Sequence, residues 1–281
     1  MHAEGGEVPS RDGGDAAARA ATASAALLRA FAREPGRSVL ARVETPDATW
    51  EDGLAADEPR PAASLLKVPL ALAAERAFAE GRLDPRAPVT VGELSAGPGA
   101  GPLRVLDAGL ALTGADVLGL CIALSNQACA IWLLEAVGLD AVLAAAAAAG
   151  CEATTMTAVD DHPSTPLLGQ TTARDALRLL AAAADAARHP LTANALRHTA
   201  LNSRIPLGAD GLDVSVAHKT GTLRGVANDV AILDCRGATL SVAFLTEEQH
   251  DTLVSGYEMG ICTRGLLEAW GLAVRRTRSI A

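Results

Sequence analysis

The sequence predicts an α+β protein, an α/β sandwich in which one five-stranded antiparallel sheet is flanked by N- and C-terminal helices and interrupted by an all-helical subdomain. Three observations predict it. Two short strand-like segments follow a first helix, three more precede a last helix, and the stretch between them is mainly of helical periodicity. Alanine and leucine supply the apolar volume, since 49% of the 281 residues are hydrophobic and only 2% aromatic. No internal repeat interrupts the order.

Residues 1–14 are rich in Gly and acidic side chains and read as a disordered tail. The remainder, 15–281, reads as a single domain, with an α/β part over 15–62 and 206–281 and a helical part over 63–205. Ala16 to Phe31 alternates Ala and Leu at helical spacing, and Pro35-Gly36 closes it. Ser38 to Val43 and Ala48 to Asp52 are strands around a Pro46-Asp47 turn. Ser64 opens a helix that Gly81 ends. Residues 84–102 are Pro- and Gly-rich, with Gly97-Pro98-Gly99-Ala100-Gly101-Pro102 as a surface loop. Helical pattern resumes at Thr113 and runs to Ala149, with breaks at Ser125 and Gly138. Asp160 to Pro166 is an irregular loop, and Thr171-Thr172 caps a helix reaching about Ala187. The run to His198 is helical again. Val214 to Ala217, Asp229 to Leu233 and Thr239 to Thr246 are strands, Cys235-Arg236-Gly237 turns between the last two, and residues 250–271 close the chain as an amphipathic helix.

Composition excludes several functions. The formal net charge of −9 argues against a nucleic-acid partner, whose phosphates need a basic footprint. The first residues carry neither a basic n-region nor an apolar h-region, and no stretch is long enough for a membrane span. A soluble, cytoplasmic protein with no membrane partner is therefore expected. Cys121, Cys129, Cys151, Cys235 and Cys262 are odd in number and lack C-x-x-C spacing. They read as reduced, buried thiols, and neither a metal nor a cofactor is expected.

Three short motifs carry chemistry. Ser64-Leu65-Leu66-Lys67 puts two functional side chains three residues apart on one helical face. A serine hydroxyl needs a base to become nucleophilic, and a lysine serves when burial or nearby positive charge lowers its pKa. Ser64 at a helix start also places its backbone N–H among the free donors there, available to an oxyanion. Ser125-Asn126-Gln127 lies between helical segments, where an ordinary capped turn would also suit it. His218-Lys219-Thr220-Gly221-Thr222 ends a strand and offers a cation, a hydroxyl and a glycine that admits a close backbone. Arg224, just beyond, is either a carboxylate ligand or a turn residue.

In that order, S-x-x-K, S-x-[NQ] and K-T-G form the pattern of penicillin-recognising serine enzymes. The sequence resembles class A β-lactamases and their β-lactamase-like relatives over roughly residues 20–275. Glu80-Gly81-Arg82-Leu83, Leu112-Thr113 and Thr171-Thr172-Ala173-Arg174-Asp175 look like further landmarks. The resemblance implies a β-lactamase/transpeptidase-like fold and an acyl-enzyme mechanism on a small-molecule acyl substrate. It implies Ser64 as nucleophile, Lys67 as its base or relay, and Ser125 as proton shuttle to the leaving nitrogen, held by Lys219. Gln127 would meet a substrate amide, Lys219 and Thr220 a substrate carboxylate, and the Ser64 and Thr222 N–H groups the oxyanion. Gly221 belongs to the same substrate-binding strand.

Two departures qualify it. Ser125-Asn126-Gln127 stands where the family has S-D-N, so the amide contact is one methylene longer. The family also places a glutamate before the Thr171 helix to activate the deacylating water, and this chain has no Glu between Glu152 and Glu247. Asp160, Asp161 and His162 lie nearest that place as candidate bases, or else simply bend a loop. A G-x-S-x-G elbow is absent, and the single tyrosine, Tyr257, lies outside the motifs. Three functions are consistent with these features: an intracellular hydrolase or transacylase in a biosynthetic role, a true class A β-lactamase, and a silent binding protein that keeps the pocket.

Overall fold

A computed structural model describes residues 11–97, 99–159 and 166–276. The expected sheet is present. Its strands are β1 (Arg37–Glu44), β2 (Thr49–Leu54), β3 (Ser215–Leu223), β4 (Val226–Cys235) and β5 (Ala238–Thr246). All neighbours are antiparallel, in the order β2-β1-β5-β4-β3. The two ends of the chain thus meet in the middle of the sheet, where Val39 pairs with Phe244.

Strand alternation divides the core between the two faces. Val39, Ala41, Val43, Val242 and Phe244 point to one side, with Leu28, Phe31, Met259 and Leu266 from the terminal helices Arg11–Phe31 and Thr252–Ala269. Phe31 and Phe244 meet edge to face at 4.7 Å. Leu40, Ala243, Leu245 and Val230 point the other way, into the helical layer. The centre of that layer is the Lys67–Ala79 helix, ten of whose thirteen residues are buried. A helix apolar on every side belongs inside a protein rather than on its surface.

Several boundaries differ from those expected. The first helix starts at Arg11, so residues 11–14 are helical; residues 1–10 of the expected tail lie outside the described residues. Residues 84–102 are Pro- and Gly-rich but partly regular. They contain the strand Pro88–Thr90, the helix Val91–Ser95 and the start of a 3-10 turn, Gly101–Val105. The signal was Thr90-x-x-Glu93, a capping box in which Thr90 Oγ1 accepts from Glu93 N at 3.2 Å. β3 does not end before the Lys-Thr-Gly motif but runs through it to Leu223. The helix expected to reach Ala187 is Ala173–Ala184 and stops at Asp185. Among the described residues no single helix is long and apolar enough to cross a membrane.

Candidate active site

Ser64 sits in a tight turn, not at the start of a regular helix. Ala63–Leu66 is one 3-10 turn, entered through Ala63 at φ 51°, and the α-helix proper begins at Lys67. Positive φ at a residue with a Cβ costs roughly 1 kcal/mol or more, so surrounding contacts must fix this turn. Two are visible. Asn228 on β4 donates through Nδ2 to Pro61 O at 2.8 Å, while its Oδ1 accepts from Thr246 N at 2.8 Å. Gly221 on β3 lies so near that a Cβ there would stand 2.8 Å from Ala62 O and 3.2 Å from Ala63 Cβ. The glycine of Lys-Thr-Gly is therefore required by the serine turn itself, a reason different from the substrate approach expected from the sequence.

Ser125 lies between the helices Gly114–Ala123 and Gln127–Val137 and also has positive φ, 52°. Asn126 explains how the break is held. Its Oδ1 caps the second helix by accepting from Cys129 N at 3.0 Å, and its Nδ2 donates to Ala100 O at 2.9 Å. The middle residue of this motif thus clamps the segment that carries Ala100.

Three of the sequence-selected side chains converge. Lys67 Nζ donates to Ser125 O at 2.5 Å and lies 3.3 Å from Ser125 Oγ. Lys219 Nζ donates to Ser125 Oγ at 2.9 Å and to Thr220 O at 2.8 Å. Ser64 is half-buried, one turn before Lys67, and among the described residues its hydroxyl makes no side-chain hydrogen bond. Both lysines are buried. Burial lowers the Lys67 amine below its usual value. Burial, with repulsion from Lys67 second, brings Lys219 down to about 7. A neutral amine can therefore exist beside a hydroxyl at ordinary pH, as proton transfer from a serine requires.

Gln127 is buried, and among the described residues neither its Oε1 nor its Nε2 has a hydrogen-bond partner. Its methylenes cross the face of Gly99, where a Cβ would come within 2.3 Å of Gln127 Cβ. Gly99, at φ 77°, has no substitute of ordinary geometry. An unpartnered primary amide in a buried place is costly.

Against β3 stands a cation the sequence did not single out. Arg204, buried, donates to Gly221 O at 2.9 Å, to Asn228 O, and to Thr222 Oγ1 at 2.6 Å. Burial lowers its guanidinium and Asp229 raises it in part. Asp229 also accepts from Ile205 N at 3.0 Å and pairs with His218 Nδ1 at 3.0 Å. No motif marks Arg204, which lies in an irregular segment fifteen residues before Lys219; only the paired strands bring it in. Arg224, the alternative from sequence, is exposed in the β3–β4 turn.

Asp160, Asp161 and His162 lie outside the described residues, but the stem of their loop is defined. Thr155–Ala158 pairs with Leu167–Thr171, and Val159 N donates to Pro166 O at 2.9 Å. Leu167–Thr171 in turn pairs with Arg60–Pro61, and Ala62 N donates to Gly169 O at 3.0 Å. The loop is therefore rooted on the segment that leads into Ser64. The cysteines offer no rival nucleophile: burial raises Cys129, Cys151 and Cys262 to about 12 and Cys235 to about 11, and raises Cys121 as well.

Residues 21–259 match the model of the β-lactamase enzyme family. The chain belongs to that family. It is a β-lactamase-like serine hydrolase that acts through an acyl-enzyme. Among solved structures, a β-lactamase from Sphaerobacter thermophilus DSM 20745 is 27% identical with a TM-score of 0.73, covering 89% of this chain and 98% of that one. PBP-A is 20% identical, with a TM-score of 0.72 and coverage of 89% and 96%. A class A β-lactamase representative from Bacteroides cellulosilyticus DSM 14838 is 18% identical, with a TM-score of 0.72 and coverage of 89% and 98%. The last two likenesses concern the fold. A comparison with curated proteins gives no match.

Proposed function

We propose that this β-lactamase-like hydrolase cleaves or transfers the acyl group of an amide, lactam or ester through an ester on Ser64. The observation that carries the reading is the double attachment of Ser125 Oγ, 2.9 Å from Lys219 Nζ and 3.3 Å from Lys67 Nζ. In this reading Lys67, its amine lowered by burial, takes the Ser64 proton as Oγ attacks the acyl carbon. Ser125 then passes a proton to the leaving nitrogen or oxygen, drawing on the lysines behind it. Backbone N–H groups of Ser64 and Thr222 receive the oxyanion; one such donor contributes about 3 kcal/mol. Lys219, Thr220 and Arg204 surround the place for a substrate carboxylate, and Gln127 supplies an amide for a substrate amide.

Deacylation separates the two catalytic readings. Without the usual glutamate, water attack on the ester depends on Asp160, Asp161 or His162. Slow attack by water leaves the ester for another acceptor, which favours transfer to a metabolite. The five free thiols, Cys151 half-buried and the rest buried, support a reducing, cytoplasmic setting and hence a biosynthetic substrate. Hydrolysis of β-lactam antibiotics is the second reading, supported by the 27% identity to the Sphaerobacter β-lactamase. A point mutant of PBP-A is described in an acyl-enzyme complex with penicillin G, so a stable adduct is a reasonable outcome on this scaffold.

Intact-protein mass spectrometry after incubation with benzylpenicillin and with an activated ester decides between them. A persistent adduct with slow turnover supports the transacylase. Rapid β-lactam loss with no accumulated adduct supports the β-lactamase. No labelling and no turnover with either class of probe would leave only a binding pocket and contradict the proposal.

A further inference from the structure

Asp229 is fully buried on β4, opposite Thr220 of the Lys-Thr-Gly motif, and its two oxygens serve two different elements. Oδ1 lies 3.0 Å from His218 Nδ1 on β3, and Oδ2 accepts from Ile205 N at 3.0 Å. The far side of the His218 ring continues the chain of contacts, with Nε2 3.1 Å from Asn202 Oδ1. Thr199 Oγ1 donates to His218 O at 2.9 Å. A carboxylate shut off from water must be met by donors. Here its donors come from β3 and from Ile205, so one buried carboxylate helps fasten the irregular segment 199–205 to the sheet.

Arg204 stands between two of these fastenings, at Asn202 and at Ile205. Among the described residues its guanidinium hydrogen-bonds only neutral oxygens: Gly221 O at 2.9 Å, Asn228 O, and Thr222 Oγ1 at 2.6 Å. Its stem runs over Gly256 of the last helix, where a Cβ would stand 3.1 Å from Arg204 Cγ. A long side chain has many rotamers open to it, and a fork that receives a carboxylate must be held in one of them. The backbone from which Arg204 reaches Thr222 is set on one side by His218 through Asn202, and on the other by Asp229 through Ile205.

We propose that Asp229 and His218 are positioning residues that act through Arg204, and that together they set the preference of the Ser64 reaction for substrates carrying a carboxylate. The inference rests on acylation at Ser64. Neither side chain touches the substrate. Loss of either lets residues 202–205 shift, and a carboxylate-bearing substrate then loses its partner, whereas a neutral one does not. A merely structural role would depress both substrates alike.

The test compares kcat/KM for phenol release from two esters of N-(phenylacetyl)glycine, the 3-carboxyphenyl ester and its neutral 3-carbamoylphenyl counterpart. The native chain is expected to prefer the carboxylate about tenfold or more, the worth of a hydrogen bond to a charged group. Asp229→Ala lowers that preference about tenfold, as a small misplacement of a binding group does. Asn202→Ala, at an exposed position, lowers it about threefold. In an Arg204→Ala background the preference is already lost, and adding Asp229→Ala changes it no further. Where Asp229→Ala does not fold, Asn202→Ala and His218→Gln decide. Equal preference in the native chain and these variants overturns the inference alone, as does a further fall in the Arg204→Ala background. Failure of both esters to acylate Ser64 overturns the Ser64 reading and this inference with it.

Discussion

Lys219 Nζ donates to Ser125 Oγ at 2.9 Å, and that oxygen lies 3.3 Å from Lys67 Nζ. One hydroxyl from the turn between two helices thus joins the lysine of the serine turn to the lysine of the sheet edge. Among the described residues neither lysine hydrogen-bonds a carboxylate, and burial lowers both amines.

Ser125→Ala removes the hydroxyl that lies within reach of both lysines. Acylation by an activated ester is expected to fall about 10²- to 10³-fold, the usual worth of a positioned proton carrier, with little change in melting temperature. Stopped-flow acylation kinetics measure it. A loss below about threefold would make the hydroxyl a spectator.

The pH dependence has a definite sign. Lys67, its amine lowered by burial, accepts the Ser64 proton only when neutral. Acylation should therefore rise with pH as Lys67 loses its proton and level off once it is neutral. On the acid side it should fall about tenfold per pH unit. Rates measured from about pH 5 to 9 with an ester stable over that range check this, and a flat profile opposes it.

Gly221→Ala forces a methyl to within 2.8 Å of Ala62 O. Because Ala62 and Ala63 carry the Ser64 turn, the strand or the serine must shift. A stability loss of about 1–3 kcal/mol is expected, with acylation reduced at least tenfold, about the effect of a small misplacement of reacting groups. Denaturant melts and the same kinetic assay report the two separately.

Glu75→Ala tests a structural role distant from Ser64. It removes the acceptor of three hydrogen bonds at the start of the Pro190–Arg197 helix. The expected loss is about 3 kcal/mol, read as a shift in the urea midpoint, with the acylation rate of the folded fraction unchanged.

Much of this was legible in the sequence because it is written locally. Periodicity marked the strands and helices, and three tetrapeptide-scale motifs marked Lys67, Ser125 and Lys219, which the structure brings into contact. What was not legible depends on register. Arg204 reaches Gly221 and Thr222 only because β3 and β4 pair as they do, and nothing at position 204 announces it. Asn228 supports the serine turn from a strand more than 160 residues away. The short strands flanking residues 160–165 were hidden by their low apolar content, since Thr155, Thr157 and Gln170 satisfy their backbones by pairing and bury little. The Lys-Thr-Gly glycine has a further reason that the sequence does not show, because one of its neighbours is the protein's own backbone.

The central claim is that the acyl group is carried on Ser64. Peptide mapping after brief exposure to an activated ester or benzylpenicillin, followed by an acid quench, tests it most directly. The account predicts one added acyl mass, on the peptide containing Ser64 and absent in Ser64→Ala. An adduct that survives Ser64→Ala, or that maps to Ser125, a lysine or a cysteine, would contradict it.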